Sequence, residues 1–382
     1  MALQRAGIEA TIFEAFERPA DTAGSFLNLS TNGIAALRAI GADRPVLDIG
    51  FATPRMVMWS GTGKRLGVVA NGLALADGTT SQTVPRGLLH RALRDEAGRR
   101  HIPIAAGRRL VSVEHVDGRV RARFEDGSDA VGDLLIGADG LHSRTRQLID
   151  PSAQRPRYTG LLSIGGRAPA TGLPPTPDTF HMIFGRQAFF GYSVRHSGEV
   201  YWFANVAATE AESRHVHVAD WKGRLRTLFA KDAGPAIAIV DATARELAAY
   251  PIFDMPSVAR WYNGPMIVTG DAAHATSPSA GQGASMALED AVVLALCLRD
   301  ASDVGEAFAA YERLRRPRVE RVVRYSARVG QTKSPGPIGR WVRDLCMPVA
   351  LKLFANPASH AWLYRYDLSW RGRTTTLSAA FS

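Results

Sequence analysis

The fold is decided by the stretch Met266-Ile-Val-Thr-Gly-Asp-Ala-Ala-His-Ala-Thr-Ser-Pro-Ser-Ala-Gly-Gln-Gly-Ala-Ser-Met-Ala-Leu-Glu-Asp290. Its apolar start predicts a buried strand with Gly270-Asp271 at the carboxyl end, where open α/β sheets bind ligands. Gly281 and Gly283 let the backbone approach a planar ligand, and a helix predicted from Gly283 to Leu298 points unpaired amides at it. Such amides stabilise negative charge. The alternative is a tight strand-to-helix loop that binds nothing.

A second stretch repeats the order strand, glycine, Asp and helix. It reads Asp133-Leu-Leu-Ile-Gly-Ala-Asp-Gly-Leu-His-Ser-Arg-Thr-Arg146. Alone it is also compatible with a strand-end turn in which Asp139 caps the helix. The combination of the two stretches is more specific than either one and indicates a ligand-binding edge of an α/β sheet.

The pattern of apolar and polar residues divides the rest of the chain into segments. A helix end over Met1 to Ala6, a strand over Glu9 to Glu14 and a helix over Thr31 to Ile40 are predicted in the first part. Between Gln154 and Asp254, aromatic and polar residues alternate as in antiparallel strands with one covered face. We therefore expect an α/β domain built from residues 1–153 and 255–382, with a β-rich substrate domain over 154–254 inserted between them and helices at the C-terminal end.

Composition narrows the function classes. The chain has 382 residues, of which 46% are hydrophobic and 21% are charged, as in globular proteins. No membrane span or secretory signal is visible, which predicts a cytoplasmic protein. Cys297 and Cys346 lack the spacing of a metal site or a disulfide framework, so no metal is expected. The net charge of +10 is spread along the chain, which argues against nucleic acid and leaves open a weak attraction for anionic substrates or NAD(P)H.

With these motifs in place, the chain resembles the group A flavoprotein monooxygenases of the para-hydroxybenzoate hydroxylase type, and its texture is nearest to the salicylate, urate and zeaxanthin-modifying members. The resemblance implies an FAD cofactor, NADH or NADPH as co-substrate, and O2. It also implies a monomer or homodimer that hydroxylates or epoxidises an aromatic or conjugated small molecule through a flavin C4a-hydroperoxide. The protein would supply orientation, electrostatics and exclusion of water.

The resemblance also implies cofactor contacts. Asp271 would hold the ribityl chain, and Pro278 would lie near the flavin ring. Gly281, Gln282, Gly283 and Ala284 form the loop whose amides would face the pyrimidine edge. The other matching positions are Glu14 on the adenosine ribose, the backbone near Ser25, Arg86 in Val-Pro-Arg, and Asp139 in the motif that also serves NAD(P)H use.

The chain departs from the family at its start. The G-x-G-x-x-G fingerprint should precede the ribose acid by about 20 residues, but Glu14 has only thirteen residues before it. We therefore expect the first strand, the glycine loop and half of the following helix to be missing. A start codon assigned too late and a real truncation that has lost catalysis both remain open as explanations.

No catalytic base is assigned from the sequence. His181, Tyr192 and Trp202 lie in the predicted inserted sheet, where each is a candidate substrate contact or a packing residue. His274 is expected to be structural. Two other functions remain as alternatives. One is a different flavin oxidoreductase on the same fold, although the Trp-x-Trp of a halogenase is absent. The other is a non-catalytic relative that binds FAD weakly.

Overall fold

The structure is a computed structural model. It describes residues 1–18, 26–169, 171–215, 220–244, 247–331, 337–354, 357–366, 368–370 and 372. Among the helices of these residues, none is both long enough and apolar enough to cross a membrane.

The helices occur along the whole chain, and two of the longest lie in the C-terminal third. In chain order they are α1 (Ala2–Arg5), α2 (Thr31–Ala39), α3 (Arg44–Leu47), α4 (Arg86–Arg99), α5 (Arg144–Ile149), α6 (Glu210–Ser213), α7 (Trp221–Phe229), α8 (Ala236–Ala242), α9 (Asp271–His274), α10 (Gly283–Asp300), α11 (Val304–Gln331), α12 (Pro337–Phe354) and α13 (Ala361–Tyr364).

The strands are concentrated between the first and the last groups of helices. They are β1 (Ile12–Phe13), β2 (Phe26–Leu29), β3 (Phe51–Ala52), β4 (Arg55–Ser60), β5 (Arg65–Ala70), β6 (Gln82–Pro85), β7 (Ile104–Ala105), β8 (Leu110–Val116), β9 (Arg119–Phe124), β10 (Asp129–Gly132), β11 (Leu135–Gly137), β12 (Arg157–Ala168), β13 (Thr179–Phe184), β14 (Ala188–Val194), β15 (Val200–Ala207), β16 (Ala249–Asp254), β17 (Tyr262–Asn263) and β18 (Met266–Val268).

Parallel strand pairs confirm the α/β class predicted from the two glycine-and-Asp stretches. β11 pairs with β18, so that Leu135 lies opposite Met266, and the carboxyl ends of the two strands reach the same edge. β1 pairs with β7 in a separate two-stranded sheet. Among the described residues, β1 and β11 each pair with a neighbour on one side only. The strand predicted over Glu9 to Glu14 is correspondingly short.

The largest sheet has seven strands in the order β16-β12-β15-β14-β13-β4-β5. Its neighbours are antiparallel except for β13 and β4, which run parallel. The alternating pattern predicted this mainly antiparallel sheet, but the boundary expected for it, 154–254, needs correction. Two of its strands, β4 and β5, come from residues 55–70, because a strand pairs wherever a free edge is available and not by proximity in the chain.

The two faces of this sheet pack differently, because successive residues of a strand point to opposite sides. Phe190 and Trp202 are fully buried on the side that packs against α7 and α8. Phe189 and Phe203 belong to a separate apolar cluster on the other side. The second side faces the α/β part of the molecule.

Helix α10 forms the centre of the α/β part. Its apolar residues are buried almost without interruption from Val292 to Cys297. Helix α2 packs closely on its first turns: a Cβ at Gly33 would lie only 2.8 Å from the Ser285 Cα. This close approach brings the start of α2 beside the loop that leads into α10.

Candidate functional site

A cavity of about 1920 Å³ lies between the α/β part and the seven-stranded sheet. One wall is the loop from β18 to α10, including Asp271, Pro278 and residues 281–284. The other wall comes from the sheet and includes Met182 and Phe203. The structure therefore brings the conspicuous sequence motif and the sheet together around one space.

The loop before α10 has the backbone geometry that its glycines predict. Gly270 and Gly281 have φ angles of 59° and 63°, the left-handed region that favours glycine. Helix α10 begins at Gly283, and among the described residues no side-chain hydrogen bond caps its first turn. The free N–H groups of that turn provide the positive end of the helix dipole next to the cavity.

Asp271 carries a carboxylate with no hydrogen-bond partner among the described residues. The side chain is open to the cavity but has protein around most of it, and this burial raises the pKa of Asp271 above its usual value of 3.8. Electrostatic interactions with His274 and Arg86 oppose that shift. A carboxylate in this position accepts hydrogen bonds from ligand hydroxyls.

Gln282 is held from behind by helix α2. Its Nε2 donates to Ser30 Oγ at 3.0 Å, and its Oε1 accepts from Asn32 Nδ2 at 3.0 Å. Ser326 on α11 holds the preceding turn by donating to the Ser277 carbonyl at 2.7 Å and accepting the Ala280 N–H at 3.2 Å. The loop is therefore fixed on the side away from the cavity.

A buried charge cluster lies beneath this loop. Glu289 accepts two hydrogen bonds from Arg318, at 2.7 and 2.8 Å, and one from Asn32 at 2.7 Å. Burial alone would raise the pKa of Glu289, but Arg318 and Arg315 lower it. The carboxylate is therefore charged and paired, and Asn32 connects it to Gln282.

Asp290 belongs to the same cluster. Its carboxylate lies 2.5 Å from His274 Nε2 and accepts from Arg315 Nε at 2.6 Å and from the Gly270 N–H at 3.0 Å. Burial by itself would raise the pKa of Asp290, but His274 and Arg315 hold it well below its usual range. The structure thus gives His274 the structural position expected from the sequence.

The remaining predicted cofactor residues fall into three groups. Arg86 begins α4 and lines the cavity. Glu14 lies outside the lining, where its Oε1 accepts the Phe16 N–H at 3.0 Å. Asp139 also lies outside it and accepts from Ser143 Oγ and Thr145 N, while its neighbours Ala138 and Gly140 line the cavity. Ser25 lies outside the described residues.

The three candidate substrate contacts lie on the wrong side of the sheet to line the cavity. His181, Tyr192 and Trp202 are register partners on adjacent strands. Tyr192 and Trp202 pack with the cluster against α7 and α8, and Trp202 Nε1 donates to Thr243 Oγ1 at 2.9 Å. His181 Nδ1 is bonded to Trp59 at 3.1 Å, and burial lowers the pKa of His181. Their role in this fold is packing, because alternation along a strand turns the neighbouring residues to the cavity.

The cavity face of the sheet is mainly apolar. Phe180 and Phe203 of this sheet form a cluster with Phe26 of β2, which belongs to a separate sheet, and the ring centroids are 5.6 to 6.2 Å apart. Met58 and Met182 belong to the same wall. Sequence reasoning missed these residues, although Phe180, Met182 and Phe203 alternate with the positions that it chose.

The residues present fit a flavin ring and its ribityl chain. The uncapped first turn of α10 suits the electron-rich edge of a reduced flavin, and the unpaired Asp271 carboxylate suits ribityl hydroxyls. A side chain at Gly281 would crowd Asn28, with its Cβ 3.3 Å from Asn28 Nδ2, so glycine keeps the backbone open to a flat group. Arg86 adds a guanidinium group to the cavity wall.

Comparison with known proteins gives concordant matches. Residues 1–326 match a family model described as FAD binding domain. The aurachin C monooxygenase/isomerase of Stigmatella aurantiaca is 31% identical over 94% of this chain and 91% of its own length. The FAD-dependent urate hydroxylase of Klebsiella pneumoniae is 29% identical over 85% of this chain and 84% of its own. A crystal structure of a Klebsiella pneumoniae HpxO variant complexed with FAD has a TM-score of 0.82 and 25% identity, and covers 95% of this chain and 94% of that one.

Proposed function

The chain belongs to the FAD-binding domain family of flavoprotein monooxygenases, and from this premise we propose that it oxygenates an aromatic small molecule with O2 and NAD(P)H. One observation carries the proposal. The loop from β18 to α10, which contains Asp271, lies across the cavity from an apolar aromatic wall. A flavin held by the loop would have its ring beside a space suited to a flat apolar substrate.

FAD, when bound, accepts a hydride from NAD(P)H and activates O2. Asp271 would hold the ribityl hydroxyls, and the free N–H groups of Gly283 and Ala284 would stabilise negative charge at the pyrimidine edge of the ring. Arg86 would contact the phosphates. Pro278 and Gln282 shape the loop, and the bonds from Ser30 and Asn32 keep it in place. Glu14 and Asp139 remain proposed contacts to the outer parts of the cofactor, as does the backbone near Ser25.

The sheet wall has a separate role. Phe180, Phe203 and Met182, together with Phe26 of the neighbouring strand β2, would pack against the substrate ring and keep water from the reacting atoms. Aromatic substrates such as urate, hydroxybenzoates or hydroxynicotinates, on which named relatives act, match a wall of this composition. The proposed inserted substrate domain, residues 154–254 together with β4 and β5, thus sets specificity, while the α/β part holds the cofactor.

The test begins with the visible absorption spectrum of the purified 382-residue chain after addition of FAD and removal of the excess. We expect a yellow protein that oxidises NADH or NADPH and transfers oxygen from labelled O2 to a substrate from a panel of urate, 3-amino-4-hydroxybenzoate and 6-hydroxynicotinate. Flavin binding with NAD(P)H oxidation but no label in any aromatic product would point to another flavin oxidoreductase. A colourless protein under saturating FAD would contradict the proposal and support a non-catalytic relative.

The proposal includes a cytoplasmic location, which is supported by the absence of a disulfide between Cys297 and Cys346, both free. Fractionation of the producing cells tests it. Recovery of the chain outside the cytoplasmic fraction would contradict this part alone and leave the chemistry open to its own test.

A further inference from the structure

Asn205 is a buried polar residue on the cavity wall. It lies on β15 with only 1% of its surface exposed, and it lines the cavity. Its Oδ1 atom has no hydrogen-bond partner among the described residues. Buried polar atoms in native proteins are almost always paired, so an orphan on a cavity wall calls for a partner from elsewhere.

The side chains beside Asn205 are two aromatic rings and one hydroxyl. Its register neighbours on the two adjacent strands are Ser163 and Phe189, and Phe203 lies two residues before it on the same face. Phe189 and Phe203 are 5.9 Å apart between ring centroids. The two aromatic side chains have no hydrogen to donate to the amide, and the Ser163 hydroxyl, although it can donate, makes no hydrogen bond to Oδ1.

Two other buried amides that line the cavity, Gln282 and Asn71, are bonded within the protein. Gln282 is bonded through both its Oε1 and its Nε2, and Asn71 donates to Asn28 Oδ1 and to the Thr53 carbonyl. Those amides belong to the loop and to the edge of the cavity, where they hold the protein together. Asn205 differs in its position on the sheet, across from the loop that would hold the flavin.

We propose that Asn205 accepts a hydrogen bond from a hydroxyl or ring N–H of an otherwise apolar aromatic substrate, and so fixes which edge of that substrate enters the site. This inference rests on the proposed function of the cavity. It narrows the substrate class to aromatic rings with a donor group on one edge and apolar surface elsewhere, since Phe189 and Phe203 beside the amide favour the apolar part. A site built around a hydrogen bond to a substrate hydroxyl discriminates strongly against an analogue that lacks it.

The experiment uses the FAD-loaded protein without NAD(P)H, so that no turnover occurs. The probes are 2-naphthol and 2-methoxynaphthalene, which share a ring system but differ in the donor hydrogen. Isothermal titration calorimetry should show that the wild type binds 2-naphthol at least about tenfold more tightly. Asn205→Leu should remove that preference and leave the FAD content unchanged. Asn205→Asp, which keeps the acceptor oxygens, should retain it.

Ser193→Ala is the matched control. Ser193 is a buried polar residue of the same sheet, but it does not line the cavity and its Oγ donates to the Thr179 carbonyl at 3.0 Å. Its loss should lower stability without changing the preference for 2-naphthol. If Asn205→Leu does not fold, Asn205→Asp still decides, because loss of the preference there would show that Oδ1 is not the acceptor.

Four results would overturn the inference: equal affinity of the wild type for the two probes, no binding of either probe, a preference that survives in Asn205→Leu, or a preference that is lost in Asn205→Asp. The affinities are measured on protein samples whose FAD content has been determined. A protein that holds FAD but ignores the hydroxyl contradicts the role of Asn205 alone, whereas a protein that does not take up FAD contradicts the proposed function.

Discussion

The Asn32 Nδ2 atom lies 2.7 Å from the Glu289 Oε1 atom and 3.0 Å from the Gln282 Oε1 atom, and all three side chains are buried. One amide nitrogen therefore joins the loop before α10 to the ion pairs of Glu289 with Arg318 and Arg315. Because both hydrogens of this nitrogen are used, rotation of the Asn32 side chain would break two bonds at once. The position of the proposed flavin loop thus depends on a residue outside the cavity.

Replacement of Asn32 by Leu should weaken both stability and FAD binding. It leaves Gln282 Oε1 without its partner and removes one of the bonds to Glu289, and a buried polar atom without a partner costs about 1–3 kcal/mol. We expect a decrease of that size in the free energy of unfolding in urea and a severalfold loss of FAD affinity. Asn263→Ala, at an exposed asparagine of β17, is the control and should change neither. A loss of stability with unchanged FAD affinity would show that the network does not position the loop.

Replacement of Asp271 by Asn should stabilise the FAD-free protein while weakening FAD binding. Burial raises the pKa of Asp271 above 3.8, so ionisation is harder in the folded state than in the unfolded state. The stability that the protonated acid contributes at low pH is lost as the pH rises from about 4 through the raised pKa. The melting temperature of Asp271→Asn should therefore exceed that of the wild type at neutral pH, with a gain that shrinks as the pH approaches 4.

The same variant should bind FAD less tightly than the wild type, although its melting temperature is higher. A hydrogen bond to a charged group is worth about 1.5–3 kcal/mol, so affinity should fall about tenfold or more in Asp271→Asn and in Asp271→Ala. An FAD titration that matches the wild type would remove Asp271 from the cofactor site. A melting temperature gain that does not vary with pH would mean that the stabilisation has another cause than ionisation.

Replacement of Gly33 by Ala should separate α2 from α10. The new Cβ would lie 2.7 Å from Ser285 Oγ and 2.8 Å from the Ser285 Cα, and a backbone atom cannot move away as a side chain can. Overpacking of this kind costs about 1–3 kcal/mol. Gly98→Ala in α4 is the matched control, because its Cβ meets nothing within 4 Å and alanine is favoured in a helix. Thermal unfolding should show opposite shifts, and equal shifts would contradict the close packing.

The loop from β18 to α10 could be predicted because its signals are local. An apolar strand, glycines that need unusual φ angles and a helix start lie within one stretch, and each depends on nearest neighbours. The helix α2 was predicted for the same reason and is confirmed within a few residues. The prediction that the glycine fingerprint is missing also used local spacing, the number of residues before Glu14.

The parts of the site that were not predicted depend on contacts between residues far apart in the sequence. Asn32 and Glu289 are 257 residues apart, and no pattern in the sequence links them. The signal that was available is a Glu289-Asp290 pair inside an otherwise apolar helix, which requires buried partners. Alternation placed His181, Tyr192 and Trp202 in a sheet, but it did not tell which face turns to the cavity, because helices α7 and α8 cover the other face with equally apolar residues.

Substitution of Gly191 tests directly which face of the seven-stranded sheet turns to the cavity. A Cβ at Gly191 would lie 2.4 Å from Phe203 Cε1 and 3.1 Å from Met182 Sδ, so the glycine makes room for the Phe203 ring. The Gly191 backbone is not among those with positive φ, so alanine is tolerated in its conformation. In Gly191→Ala the ring must move, and it lies on the wall of the cavity. We therefore expect the space for the substrate to shrink.

The loss of space in Gly191→Ala can be measured by comparing the affinities for a large and a small ligand. In the FAD-loaded Gly191→Ala variant, affinity for 2-naphthol should fall several times more than affinity for phenol, while FAD affinity stays the same, because the flavin loop belongs to the opposite wall. Trp202→Phe is the control: Trp202 packs on the other face and loses its bond to Thr243, so stability should fall without a change in size preference. If phenol and 2-naphthol lose affinity equally in Gly191→Ala, or if Trp202→Phe alters their ratio, the substrate does not lie against the Phe203 face.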